Sequence, residues 1–188
     1  MFHMEQNIDY KLGIVNELLK EESHVRNLAK TLRINHMTIL RRIKELFKSN
    51  VVDYKEEGRN KVYFLKNTTE AKITINTAEN YKLLQIIKKY PSLRKIIKKI
   101  QEDKRIVLAA LFGSYAKGIA KKDSDIDIYI ETMDKNLKKD LEKIDSKLSI
   151  KIGKYNKDNP VIKEIKKNHV VIKGTERYYE INQFFEET

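Results

Sequence analysis

The first fifty residues carry apolar side chains three and four positions apart in three separate stretches. This spacing places them on one face of a helix, so we predict helices over residues 8–20 and 24–32 and a third helix after Asn35. Asn35 is the expected cap, because an Asn side chain can accept a hydrogen bond from the first backbone N–H groups. The third helix then has one apolar face, formed by Ile39, Leu40, Ile43, Leu46 and Phe47.

The helical spacing gives way to β-type sequence in residues 51–66, VVDYKEEGRNKVYFLK. Two runs rich in Val, Tyr and Phe flank residues 57–60, Glu-Gly-Arg-Asn, which is typical of a hairpin turn. We therefore predict a first domain, residues 1–66, in which three helices precede a β-hairpin.

Helical spacing returns between residues 83 and 100. Pro91 interrupts it, and a proline inside a helical pattern predicts a break into two helices. The segment 67–105 holds ten Lys and Arg against four Asp and Glu, a net charge of +6. We predict that it is a basic helical connector between two domains.

A continuous apolar run, IVLAALF at 106–112, is typical of a buried strand. Gly113 ends this run, and Ser114 stands where a short helix would begin. Further along, the sequence DIDIYIE at 125–131 alternates between polar and apolar residues. Because side chains alternate along a strand, Asp125 and Asp127 are predicted to share one face, opposite three isoleucines.

These features suggest a site for a phosphate-bearing ligand and a metal ion. A glycine turn that leads into a helix exposes backbone N–H groups, which hold phosphate, and the Ser114 hydroxyl and Lys117 would add to them. Two carboxylates on one strand face can bind Mg²⁺ or Mn²⁺ together with substrate phosphates. The alternative of a calcium loop is excluded, because Ile128 stands where that loop needs glycine.

Composition narrows the class of partner. The chain of 188 residues has a formal net charge of +12, which favours a polyanion such as nucleic acid, although a lysine-rich solvated surface would give the same excess. It has no cysteine, which excludes disulfides and thiolate metal sites. No apolar run reaches the roughly 18 residues of a membrane span, and the N-terminus lacks a signal-peptide core. We expect a cytoplasmic protein.

Residues 28–65, from LAKTLRINHMTILRRI to KVYFL, resemble the winged-helix transcription regulators. The resemblance implies that the third helix enters the major groove of double-stranded DNA and that the protein is a homodimer. The residues it assigns to DNA contact are His36, Thr38, Arg41 and Arg42 on that helix, and Arg59 and Lys61 on the wing. The alternative is a small helical domain that binds protein.

Residues 106–174 resemble the polymerase-β-type nucleotidyltransferase superfamily, in particular its minimal branch, with GS at 113–114 and DID at 125–127. The fold implied for the chain is α+β, with an N-terminal winged helix-turn-helix, a helical connector and a nucleotidyltransferase-like mixed β-sheet flanked by helices over 106–188. The implied activity transfers a nucleoside monophosphate from an NTP, with ATP expected, to an acceptor. That acceptor would be a partner toxin, as for antitoxins of this branch, or less favourably a small molecule.

The sequence departs from this superfamily at the third carboxylate, which active members carry on a later strand. The corresponding strand, residues 147–153 (KLSIKIG), has no Asp or Glu, and Ser149 or Lys151 occupies the expected place. Loss of a metal ligand weakens the electrostatic stabilisation on which this chemistry depends. The second hypothesis is therefore a DNA-binding regulator whose transferase domain is a nucleotide sensor or a scaffold.

Overall fold

The protein is described by a computed structural model that covers residues 2–134, 136–182 and 184, with the backbone alone for residues 2–9. The chain divides into two compact units, one reaching Ala78 and the other beginning at Glu79. Among the described residues, no helix combines the length and the apolarity that a membrane span needs.

The first unit is a winged helix-turn-helix. Its helices and strands in chain order are α1 (Phe2–Leu18), β1 (Ser23–His24), α2 (Val25–Leu32), α3 (His36–Lys48), β2 (Val52–Glu57) and β3 (Asn60–Leu65). The strands form an antiparallel sheet in the order β1-β3-β2, and the β2–β3 hairpin pairs Glu57 with Asn60 at its tip. The three helices and the hairpin predicted from the sequence are thus confirmed.

Local sequence explains how α3 is placed. The Asn35 side chain accepts a hydrogen bond from the Met37 N–H at 2.8 Å and caps the helix start, as predicted. Ile39, Ile43 and Leu46 are buried and attach the helix to the core of the unit. The predicted apolar face is narrower than expected, because the Phe47 side chain keeps 46% of its surface exposed.

The second unit contains the end of α4 and every later helix and strand. The elements are α4 (Thr69–Lys89), a 3-10 turn (Pro91–Leu93), α5 (Arg94–Glu102), β4 (Leu108–Leu111), α6 (Gly113–Ala116), β5 (Ile126–Glu131), α7 (Leu137–Glu142), β6 (Leu148–Ile152), α8 (Pro160–Lys167), β7 (Val170–Lys173) and α9 (Thr175–Ile181). The sheet order is β6-β5-β4-β7, with β5 and β6 parallel and the other pairs antiparallel. This mixed sheet with helices confirms the α+β class.

The segment predicted as a connector, 67–105, consists of α4, the turn at Pro91 and α5. The break at Pro91 is confirmed. The chain divides inside α4, and residues after Ala78 belong to the second unit. Ile96, Ile97 and Ile100 of α5 are buried in the core of that unit, so α5 is part of its structure.

Candidate nucleotide site and nucleic-acid interface

The turn after β4 brings the chain against Asp127. Gly113 has a φ of +66°, a conformation that side chains disfavour, and a Cβ added there would lie 2.4 Å from Asp127 Oδ2. The preceding Phe112 N–H donates to the Asp127 carbonyl at 3.0 Å and ties the turn to β5. Only glycine fits at position 113, and the first turn of α6, with Ser114, is held beside this carboxylate.

The two aspartates lie at the start of β5. Asp125 is exposed immediately before the strand, Asp127 is half-buried within it, and the intervening Ile126 is buried. This agrees with the alternation predicted from the sequence, except that the strand begins at Ile126. The Asp127 carboxylate therefore faces the glycine turn rather than the apolar core.

Burial raises the pKa of the Asp127 carboxyl above its ordinary value, and a hydrogen bond from the Ser149 hydroxyl opposes that rise. The negative charges of Asp125 and Glu164 raise the pKa further, whereas the positive charge of Lys151 lowers it. Two further carboxylates, Asp125 and Glu164, therefore repel the charged form of Asp127. A cation or a proton would relieve their repulsion.

Strand β6 does not supply the third carboxylate. In the parallel register of β5 and β6, Ser149 pairs with Asp127 and Lys151 pairs with Tyr129. Asp145, which precedes the strand, accepts a hydrogen bond from the Lys147 N–H at 2.9 Å. Within the described ranges, no three His, Cys, Asp or Glu side chains are grouped to hold a metal ion.

Two aspartates fit one divalent cation that shares its remaining ligands with substrate phosphates and water. Mg²⁺ is usually bound in this way, through one or two carboxylates and phosphate oxygens. The arrangement does not fit two protein-held cations, because that site normally needs a third bridging or flanking carboxylate. Of the two residues that the sequence left open for the place of the third acid, Ser149 and Lys151, the register of β6 sets Ser149 beside Asp127.

Residues 94–178 match the family model for polymerase beta nucleotidyltransferases. This segment is a polymerase beta-type nucleotidyltransferase domain. The match begins at Arg94, so the domain includes α5 as well as the strands that hold the glycine turn and the aspartates.

No curated protein matches the chain. One similar solved structure is the adhesin competence repressor AdcR from Streptococcus pyogenes, with 20% sequence identity and a TM-score of 0.40. The alignment covers 46% of this chain and 65% of the AdcR chain, so this protein spans less than two thirds of that relative. A likeness at this level says nothing about function.

Lys117, predicted to bind nucleotide, directly follows α6 in the nucleotidyltransferase domain. Its side chain is exposed, and its ammonium Nζ lies 3.5 Å from Glu164 Oε1 of α8. Glu164 was not anticipated from the sequence. It stands 37 residues beyond Asp127 in a lysine-rich helix, and only the packing of α8 brings it to the site.

The winged helix-turn-helix exposes most of the side chains that were predicted to contact DNA. His36, Arg41, Arg59 and Lys61 are exposed, and Thr38 is half-buried. A groove of about 390 Å³ runs between α2, α3 and the hairpin. None of the residues that line it is acidic. The basic residues and histidines that line it are His24, Arg26, His36, Arg59 and Lys61. A second groove of about 280 Å³ follows α3 past Arg41 and Lys44.

The prediction that Arg42 is exposed for DNA contact is wrong. Its side chain keeps only 6% of its surface exposed, and its guanidinium Nη1 lies 2.5 Å from Glu45 Oε1. The Lys11 ammonium binds the other oxygen of Glu45 at 2.7 Å. Arg42 lies three positions after Ile39 and four before Leu46, so it sits beside the apolar face of α3 and stabilises the unit.

Proposed function

We propose that the nucleotidyltransferase domain binds a nucleoside triphosphate, ATP in the simplest case, together with one divalent cation, Mg²⁺ or Mn²⁺. The observation that carries this proposal is the close approach of Asp127 to Gly113, because it sets the turn that we expect to bind phosphate against a carboxylate. Asp125 and Asp127 would hold the cation. Gly113, Ser114 and Lys117 would hold the phosphates.

In the proposed reaction an acceptor hydroxyl attacks the α-phosphorus of the nucleotide. A bond forms between the acceptor oxygen and this phosphorus, the bond to the pyrophosphate oxygen breaks, and the acceptor proton passes to solvent or to a carboxylate of the site. The cation would neutralise charge on the phosphates and the departing pyrophosphate. The protein would orient the triphosphate, and the cation would offset the burial and the repulsion that raise the pKa of the Asp127 carboxyl.

For the first unit we propose binding to double-stranded DNA. Its support is the exposed basic surface around α3 and the hairpin, where the charged lining of the larger groove includes no acid. Phosphate neutralisation by such a surface supplies most non-specific affinity. The proposed contact residues are His36, Thr38, Arg41, Arg59 and Lys61. A homodimer would place two copies of α3 on two half-sites.

We propose a protein as the acceptor, which fits an antitoxin-like role in which a partner toxin is modified. The second candidate is a DNA-binding regulator whose transferase domain binds nucleotide without turnover. Ser149 favours the second candidate, because it lies opposite Asp127 where active relatives of this superfamily carry an acid. Both candidates require the same nucleotide site.

Radiolabelled ATP separates the two candidates. The purified chain is incubated with α-labelled ATP, Mn²⁺ and any protein that co-purifies with it, and label on protein is measured for the wild type and for Asp127→Asn. Label that depends on Asp127 supports transfer. If the wild type binds ATP but transfers no label and Ser149→Asp gains transfer, the regulator is favoured; binding of no ATP by the wild type contradicts both.

A further inference from the structure

The ion pair between Lys117 and Glu164 joins the segment after the glycine turn to α8. Its two charged atoms are 3.5 Å apart, and the side chains keep 41% and 45% of their surfaces exposed. An exposed pair of this kind contributes little to stability and can exchange partners readily. Lys117 therefore forms an ion pair with Glu164 that it can leave at little cost in free energy.

The backbone under this pair is fixed at both ends. The Lys117 N–H donates to the Gly113 carbonyl at 3.2 Å, which joins it to the turn beside Asp127. On the other side, the Asn159 side chain caps α8 by accepting from the Val161 N–H at 2.9 Å, and Ile165 is completely buried next to Glu164. Only the two long side chains are free to reorient.

Glu164 also acts on the aspartate site. Contacts link it to that site: Glu164 pairs with Lys117, the Lys117 N–H donates to the Gly113 carbonyl, and Gly113 lies against Asp127. In agreement with this path, the charge of Glu164 adds to the rise in the pKa of Asp127, although burial and the charge of Asp125 act more strongly. While Lys117 stays with Glu164, part of that repulsion is cancelled. If Lys117 left, the negative charge of Glu164 would act on Asp127 without this compensation.

We propose that Glu164 is a positioning residue that holds Lys117 until a triphosphate arrives and then gives it up to the phosphates. This inference rests on the proposed nucleotide site. Once Lys117 has moved to a phosphate, the charge of Glu164 acts on Asp127 without compensation. A divalent cation is then bound more strongly with nucleotide than without it. Glu164 of α8 then supplies the negative charge that β6 lacks, although it does so from a different position.

The exchange predicts opposite effects of one substitution on two binding steps. Glu164→Gln frees Lys117, so ATP without metal should bind about twofold to fivefold more tightly, which is the range of one exposed ion pair. The same substitution removes the third negative charge, so the gain in ATP affinity on adding Mn²⁺ should fall by about the same factor. A role in folding alone would weaken both steps together.

Isothermal titration calorimetry of the full chain with ATP, in EDTA and in Mn²⁺, measures both steps. The control is Glu176→Gln, which removes an exposed carboxylate of α9 in the same unit, and circular dichroism checks that each variant is folded. Opposite changes in Glu164→Gln alone support the inference. Unchanged affinities, parallel changes, or equal changes in the control overturn it while leaving the nucleotide site in place. A wild type that binds no ATP in either condition overturns the proposed site and this inference with it.

Discussion

The two units use their charged residues in contrasting ways. On the winged helix-turn-helix, basic side chains are spread along two open grooves, and several of them are exposed. In the nucleotidyltransferase domain the proposed site depends on a few atoms at close range, with Gly113 and Asp127 almost in contact. The first surface should tolerate the loss of any single side chain. The second should not tolerate the addition of a single methyl group.

Gly113→Ala tests this contrast with the largest expected effect. The new Cβ would meet Asp127 Oδ2 at 2.4 Å in a left-handed conformation, so we expect a loss of about 2–4 kcal/mol in the free energy of unfolding and loss of ATP binding. Denaturant unfolding and calorimetry measure the two effects.

Gly58→Ala is the matched control for that substitution. Gly58 lies in the hairpin with a similar φ of +61°, but an added Cβ there would have nothing within 4 Å. It should cost about 1 kcal/mol from backbone strain alone and leave ATP binding unchanged. Equal losses from the two substitutions would show that the approach to Asp127 has no special importance.

Acid unfolding tests a second point of concentrated charge, at Glu79 of α4. This buried carboxylate accepts from the Tyr179 hydroxyl and the Lys82 ammonium, both at 2.8 Å. Burial alone would raise its pKa, but the His169 imidazole, whose Nε2 lies 3.6 Å from Glu79 Oε1, and the charge of Lys82 outweigh burial and lower the pKa to about 2 from 4.5.

Because the folded pKa is lowered, the stabilisation is complete above about pH 4.5 and is lost as the pH falls towards about 2. It amounts to about 3 kcal/mol. Glu79→Gln should be less stable than the wild type by about that amount at pH 6, and the difference should shrink as the pH falls through this window. A difference that does not vary with pH would contradict the assignment.

Features that depend on local sequence patterns could be predicted, whereas features that depend on tertiary packing could not. The glycine turn, Asp125 and Asp127 were predictable, because their geometry follows from strand alternation and a φ that only glycine adopts easily. The lack of Asp and Glu in residues 147–153 is read directly from the sequence, and the strand period predicted that this segment forms a strand, as β6 does. Glu164 was not, because a residue on a helix distant in sequence reaches the site only through tertiary packing.

Arg42 shows the same limit on the DNA-binding side. Helical spacing placed it at the border between the apolar and polar faces of α3, and periodicity cannot decide on which side such a residue packs. Its burial depends on Glu45 and Lys11, which converge only when α1 packs against α3.

Two neighbouring arginines on α3 test how charge is distributed over the winged helix-turn-helix. Arg41→Ala should weaken binding to duplex DNA, reduce the log–log salt slope by about 1 and leave stability unchanged, because Arg41 is exposed. Arg42→Ala should instead lower the free energy of unfolding by about 1–3 kcal/mol, because it removes a buried side chain and its partly buried ion pair with Glu45. Fluorescence anisotropy over a salt series and denaturant unfolding separate the two. The reverse assignment of effects would show that Arg42 contacts DNA.

The helix caps give the smallest expected effect. Asn35→Ala and Asn159→Ala each remove one capping hydrogen bond, so each should cost about 1 kcal/mol of stability. Asn35→Ala should weaken DNA binding alone, because it disturbs α3. Asn159→Ala should weaken ATP binding alone, because it disturbs α8 beneath Glu164. Crossed effects, measured by anisotropy and calorimetry, would contradict the assignment of the two activities to separate units.

The central claim is that the two aspartates of β5 bind a metal–nucleotide complex. Calorimetry of Mg²⁺–ATP with the wild type and with the double variant Asp125→Asn, Asp127→Asn tests it most directly, with DNA binding of the same samples as the control. The account predicts that the wild type binds Mg²⁺–ATP, that the variant loses at least tenfold in affinity, and that both bind DNA equally. Equal affinity of the two proteins for Mg²⁺–ATP would contradict it.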